Sequence, residues 1–239
     1  MNFIEVQDEV EDLLLDLPAG TTTRIATWVN EAIKEAETRY NFRCMEEQED
    51  ATTVDQTRAL FTKPADWKER RGEPYLINQD GSTTPISWAQ SEAQMIRTYG
   101  IQAPAETSTA TIDEGEPHYI LERDTQVDVF PLPDDESDWT NGLYRVVVPY
   151  WKYLTALSAD ADTNFFTANA SRYCIYRAAE MGIDRNRDEA RADRYLQKAE
   201  REFVKIKNQD KLSKLGDKLT LSIKKDVYAG EPRRGNREG

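Results

Sequence analysis

Histidine and cysteine are nearly missing from this sequence. One histidine, His118, and two cysteines, Cys44 and Cys174, stand among 239 residues. A multi-histidine metal site is thereby excluded, and a Ser-His-Asp triad would have to rest on His118 alone. That residue lies in Glu116-Pro117-His118-Tyr119-Ile120, which reads as the start of a strand, so a structural role is expected. The cysteines are far apart, form no CxxC pair and read as buried or half-buried free thiols. No run approaches the roughly 20 apolar residues that span a membrane. Met1-Asn2-Phe3-Ile4-Glu5 lacks the basic and apolar regions of a secretory signal, so the expectation is a chain that begins at Met1 and is made in a cytoplasm. The glycines are scattered and form neither a phosphate-binding loop nor a nucleophile elbow. Positive charge is short as well: 31 Lys and Arg face 44 Asp and Glu, a net charge of −13. DNA wrapping or base readout needs a basic footprint that this composition does not supply.

What charge there is falls unevenly. Residues 1–16 carry Glu5, Asp8, Glu9, Glu11, Asp12 and Asp16 with no Lys or Arg, whereas residues 205–239 carry ten Lys and Arg against five acids. A basic end on an acidic body fits solubility with a disordered end, and it also suits docking on an acidic partner. In residues 2–17, Phe3, Val6, Val10, Leu13 and Leu17 recur at helical spacing under an acidic outer face. Pro18-Ala19-Gly20 ends that helix, and Thr21-Thr22-Thr23 offers N-caps for the next, from about Arg24 to Tyr40. Its stripe is Ile25, Trp28, Val29, Ala32, Ile33, Ala36 and Tyr40. Glu46-Glu47-Gln48-Glu49-Asp50 reads as an acidic, solvated turn. Short β-like runs follow, among them a hairpin around Asp80-Gly81, and a short helix is expected within 88–99. Residues 102–115 read as an exposed loop. Strands are expected over 118–122, 126–132 and 143–148, the last rich in β-branched residues. Two helices close the body, Thr163–Met181 with Gly182 as C-cap and Asp188–Asn208. Beyond Gly216, Leu219, Leu221, Ile223, Val227 and Tyr228 alternate weakly before a Gly/Pro/Arg-rich end with Arg233 and Arg234. This stretch reads as disordered alone and ordered by a partner, as an added strand or clamp.

Few constellations carry chemistry. Asp160-Ala161-Asp162-Thr163-Asn164 matches the opening ligands of a calcium loop, but Phe165 stands where the sharp-turn glycine belongs and Ser171 where the closing glutamate belongs. Capping of the following helix is the expected role. Arg70-Arg71 with Trp67, Trp88 and Tyr75 could be drawn as a nucleic-acid surface, but Glu69 and Glu73 beside it favour aromatic packing of the β region. Paired carboxylates are uninformative in so acidic a chain. No catalytic, cofactor or metal residues are assigned, and the chain is not expected to be an enzyme.

The order of motifs carries a resemblance. A helix with Trp28-Val29-Asn30-Glu31-Ala32-Ile33 precedes a β insertion. Val127-Asp128-Val129-Phe130-Pro131-Leu132-Pro133, a strand ending Val146-Val147-Val148-Pro149-Tyr150, and Leu157-Ser158-Ala159-Asp160-Ala161-Asp162-Thr163-Asn164 then lead into two long helices. Over residues 1–210 this resembles the tailed-phage head-to-tail adaptor proteins, of the head-completion, upper-neck or tail-tube gatekeeper type; the 51–115 insertion is longer than in small members. The resemblance implies an α+β fold: a mainly α-helical bundle (1–43 and 158–211) with an inserted small β lobe (44–157) and an extended C-terminal tail (212–239). It further implies a structural virion protein at the portal vertex, assembled in the host cytoplasm as a ring of commonly twelve copies. Its partners would be the portal protein, a tail or nozzle protein and its own copies, with genomic DNA passing unbound through the lumen and no membrane contact. The candidate portal-binding residues are Leu219, Leu221, Ile223, Val227, Tyr228, Arg233 and Arg234. Another neck or tail connector or an assembly interaction protein is the alternative, and behind it a cell-wall hydrolase.

Overall fold

A computed structural model describes residues 1–14, 22–53, 57, 59–77, 81–99, 115–133, 144–183 and 185–228, with backbone alone at 22, 23, 96, 185–187 and 215–228. The chain divides into two compact units, Met1–Cys44 with Ala156–Gly239, and Met45–Thr155.

The first unit is helical: α1 (Phe3–Leu14), α2 (Thr22–Arg39), α4 (Phe165–Asn169), α5 (Ser171–Gly182) and α6 (Arg185–Tyr228). Helix α5 is its centre and packs on α1, α2 and α6. That position explains why Tyr173, Cys174, Ile175, Ala178, Ala179 and Glu180 are all buried, on more than one face. Small residues at 178 and 179 let neighbouring backbones approach. Against α5, α1 buries Phe3, Val6, Val10 and Leu14; the sequence reading placed Leu13 in the stripe, but it is only half-buried, and Leu17 lies outside the described residues. From α2 come Ile25, Val29, Ala32, Ile33 and Ala36. Phe42 is an aromatic hub, with ring centroids 4.8 Å from Tyr40, 5.2 Å from Phe166, 5.8 Å from Phe165 and 6.2 Å from Phe203.

Two helix expectations need correction. The single helix over 163–181 is broken at Ala170, which closes α4 and opens α5 at φ −135°, ψ 23°. Gly182 is the last helical residue rather than a left-handed cap. A Cβ there would meet Leu14 Cδ1 and Trp28 Cζ3, both at 2.8 Å, so any side chain at 182 would force these two to shift.

The second unit holds nine strands among its described residues: β1 (Glu46–Thr52), β2 (Ala59–Thr62), β3 (Trp67–Arg70), β4 (Tyr75–Ile77), β5 (Thr83–Pro85), β6 (Ser87–Trp88), β7 (Tyr119–Glu122), β8 (Gln126–Phe130) and β9 (Arg145–Lys152), with the helix α3 (Glu92–Tyr99). One sheet runs β1-β9-β4-β5, with β3 also on β9; the other runs β2-β8-β7-β6. All pairs are antiparallel except β6 with β7. Strand β9 is the axis of the first sheet. One edge pairs along β1 from Arg145 to Trp151, while the other is shared by β4 at 145–147 and β3 at 150–152. Pro149, which has no N–H to donate, sits at the changeover. Ala51, Leu60, Leu76, Ile86, Ile120, Val127, Val129, Val146 and Val148 form one core drawn from both sheets. Ala89, Met95, Leu121 and Phe130 form a second, where α3 covers the outer side of β7 and β8. The alternation in β8 follows: Val127 and Val129 enter the first core, and Phe130 the second.

The expectation of a mainly helical bundle with a small β lobe is therefore wrong, and the fold is a mixed α+β one. The largest miss is Glu46–Asp50, read as a solvated turn and found within β1. Glutamate is a poor strand former, but tertiary contacts override propensity. Lys152 meets Glu47 at 2.7 Å, Arg71 meets Glu46 at 2.8 Å, and Arg145 pairs with Asp50. The extended tail is corrected too, because the backbone of 212–228 continues α6 as helix.

Candidate interaction surface of the long helix

Helix α6 starts in earnest after Asp188, whose backbone is non-helical (φ −147°, ψ 65°) and whose carboxylate accepts the Arg191 N–H at 3.1 Å. Ala192, Tyr195, Ala199, Phe203 and Ile206 follow at spacings of three and four and are buried. Asp210 falls on the same phase, where an apolar residue is expected. Its carboxylate accepts the Tyr40 O–H at 3.0 Å and the Arg43 backbone N–H at 2.9 Å, and pairs with Lys214 at 2.8 Å. Burial pushes this carboxyl up, but Lys214, the Arg43 N–H and the Tyr40 hydroxyl outweigh it and hold it below the ordinary range. Lys214 also donates to the Asn41 carbonyl at 3.2 Å, and Arg43 Nη1 to Ser213 Oγ at 3.3 Å. Nearly three turns before Asp210 on α6, Arg39 forks onto Glu200 at 2.6 and 2.7 Å and lies 4.2 Å over the Phe203 ring. These contacts clamp α6 to the end of α2. Past the clamp the helical backbone runs on to Tyr228, about 20 Å further at 1.5 Å per residue.

Leu219, Leu221, Ile223, Val227 and Tyr228 lie in this last helical stretch, and Arg233 and Arg234 lie outside the described residues. Sequence reasoning missed the clamp. Its one signal was an acid, Asp210, at the apolar phase of an otherwise apolar stripe. Beside the clamp opens a cleft lined by Arg43, Cys44, Phe165, Asn169, Ile206 and Asp210. Burial first, then the Asp210 charge, pushes the Cys44 thiol up to about 12, and burial alone does the same to Cys174, so neither is a thiolate nucleophile at neutral pH.

The aspartate-rich segment is built for holding helix starts. Asn164 Oδ1 accepts the N–H groups of Phe166 and Thr167 at 2.9 and 3.1 Å, and Thr167 Oγ1 accepts the Asn164 N–H at 3.0 Å. Asp162 accepts the N–H groups of Ala159 and Ser158, at 2.7 and 2.8 Å, which hold its carboxyl low. The carbonyls of Asp162 and Asp160 accept the N–H groups of Phe3 and Ile4 at the start of α1, where Asn2 and Glu5 form a second capping box. Among the described residues no group of three or more His, Cys, Asp or Glu is placed to hold a metal ion, and no helix is long and apolar enough to cross a membrane.

The basic-aromatic motif of the β unit is engaged in packing. Trp67 stacks on Tyr150 at 4.6 Å and donates to Glu122 at 3.1 Å, and Trp88 donates to the Gly72 carbonyl at 2.8 Å. Arg70 lies over Trp88 and Arg71 over Trp151, both at 5.4 Å. His118 contributes its backbone, donating to Phe130 and accepting from Ser87.

In comparison with known protein families, the family model described as SU10 adaptor protein matches residues 1–218. No curated protein sequence matches the chain.

Proposed function

The chain belongs to the SU10 adaptor protein family, a structural family of phage adaptors, and from that premise we propose that it forms a ring beneath the portal. The ring joins head to tail in the virion neck and continues the channel through which DNA leaves. The observation that carries this reading is α6. Its anchored part ends at the Asp210 clamp, and its helical backbone then continues to Tyr228. The sequence there, Leu212, Leu215, Leu219, Ile223 and Val227, is spaced by three and four residues, which suits a helix better than the alternation of a strand. We assign this extension to the portal protein, with twelve copies around the ring as in the adaptors the chain resembles. The opposite partner is a tail or nozzle protein, and assembly takes place in the host cytoplasm. The acidic chain, repeated around a lumen, repels DNA phosphates and lets the genome slide without sticking.

Deletion of residues 215–239 tests the assignment, because it leaves Lys214 and the clamp in place. The truncated chain is expected to keep its melting temperature and to lose only the circular dichroism of the removed helical turns, while losing recruitment to purified portal-containing heads. Unchanged recruitment would place the portal contact elsewhere. A lumen lined mainly by Lys and Arg in an electron-microscopic map of the neck would overturn the sliding argument.

A further inference from the structure

Two exposed helix faces of the helical unit carry opposite charge, and most of their charged side chains have no ion-pair partner among the described residues. On α1, Glu5, Asp8, Glu9 and Asp12 recur at i, i+3, i+4 and i+7, with Glu11 at the flank, and all are exposed. Among the described residues none of Asp8, Glu9, Glu11 and Asp12 makes an ion pair or a side-chain hydrogen bond, and no basic residue occupies the last turn. As a free surface helix α1 is electrostatically unfavourable. Like charges at these spacings repel by about 0.2–0.5 kcal/mol per pair, and Glu11 and Asp12 sit at the negative end of the helix dipole. The isolated fold does not need this pattern.

On α6 the exposed ridge runs Arg194, Gln197, Arg201, Val204, Asn208 and Lys211 at alternating spacings of three and four, flanked by Lys205 and Leu212. Asp193 is the one acid among the exposed residues of 193–213. Arg194, Arg201 and Lys211 have no acidic partner among the described residues, although Arg39 and Arg177 nearby are both paired. Val204 and Leu212 are 51% and 66% exposed, which leaves apolar surface between the cations. The spacing also agrees: Glu5 to Asp12 and Arg194 to Arg201 are each seven residues, about 10.5 Å of helix.

We propose that the α6 ridge of one copy receives the acidic face of α1 from a second copy. The two faces are different surfaces of the same unit, so the contact is heterologous and propagates around a ring rather than ending at a dimer. Two short helix faces bury less than the roughly 800 Å² per partner of a standard interface, so free copies associate weakly and the closed ring gains from each copy touching two neighbours. Charge complementarity of this kind also sets register and excludes face-to-face pairing, because two α1 faces or two α6 ridges repel. The inference rests on the ring reading above and adds the faces that join its subunits.

Charge exchange tests it, with purified portal as the assembly platform and occupancy read by mass photometry. Glu9→Lys with Asp12→Lys, or Arg194→Glu with Arg201→Glu, is expected to weaken cooperative filling by roughly tenfold or more while leaving the circular dichroism unchanged, since all four positions are exposed. The chain carrying all four substitutions is expected to fill the portal again, because each face regains a complementary neighbour. Normal filling by either pair variant, or no recovery in the four-fold variant, overturns the interface while leaving the connector role intact. Arg194 and Arg201 variants that lose single-copy binding to the portal would show that the ridge faces the portal instead. A wild-type chain that ignores the portal altogether would sink the ring reading itself.

Discussion

The helical unit and the β unit handle charge in different ways. In the helical unit the paired charges sit partly inside: Glu180 is buried against Arg177, which also holds Glu35 at 2.7 Å, and Asp210 is buried under three donors. In the β unit most pairs lie on the rim of the sheet, where Arg145–Asp50, Lys152–Glu47 and Arg71–Glu46 hold an acidic edge strand in register. The buried exception is Asp128, held by Arg123 and by Gln126 at 2.6 Å. Buried groups lose a great deal when a partner goes, whereas exposed pairs are screened and contribute little each. Loss of single side chains should therefore be felt more sharply in the helical unit than along β1.

The largest effect is expected at the aromatic hub. Phe42→Ala removes four ring contacts from a fully buried site and should destabilise by about 3–5 kcal/mol, seen as a lower melting temperature and a lower denaturant midpoint. Gly182→Ala comes next and has a telling sign. At an open helix site the change would stabilise by up to about 1 kcal/mol, but here the new Cβ meets Leu14 and Trp28, so a loss of about 1–3 kcal/mol is expected. Asp210→Asn should cost about 1–3 kcal/mol at neutral pH and should also change the acid profile. The carboxyl of Asp210 lies below its ordinary 3.8 in the fold, as do Asp50 and Asp162, and Glu47 and Glu200 lie below 4.5. Groups lowered in this way stabilise the fold at pH above those ordinary values, and the contribution is lost as pH falls through the lowered ones. Urea midpoints measured from pH 7 to pH 3 should fall, with a shallower fall in Asp210→Asn. The smallest effect belongs to Arg145→Ala, whose exposed pair with Asp50 is screened by solvent and weakens further in high salt. An Arg145→Ala loss as large as that of Phe42→Ala would abolish the contrast between the units.

The helical unit was the more legible part. Repeats of three and four residues marked α1, α2, α5 and α6, because a helix places its core contacts within a few residues of one another. The capping role of Asp160–Asn164 was readable for the same reason, since Asn164 acts on its own next turn. Where reading failed, the partner was distant. Residue 46 is joined to residue 151 and residue 52 to residue 145, and nothing within Glu46–Thr52 announces those neighbours. The motif order was sufficient to suggest the adaptor family, but the candidate tail was read as extended because alternation at Leu219, Leu221 and Ile223 was weighed without the turns that precede it.

Composition, spacing and motif order alone settled the family resemblance, the amphipathic helices and the uneven spread of charge, since each is written along the chain. The tertiary structure decided that an acidic run is a strand, that Gly182 is a packing residue, that Asp210 clamps α6, and which charges are left facing outward. Those outcomes depend on which residues, distant in sequence, share a low-dielectric neighbourhood, and local periodicity carries no information about that.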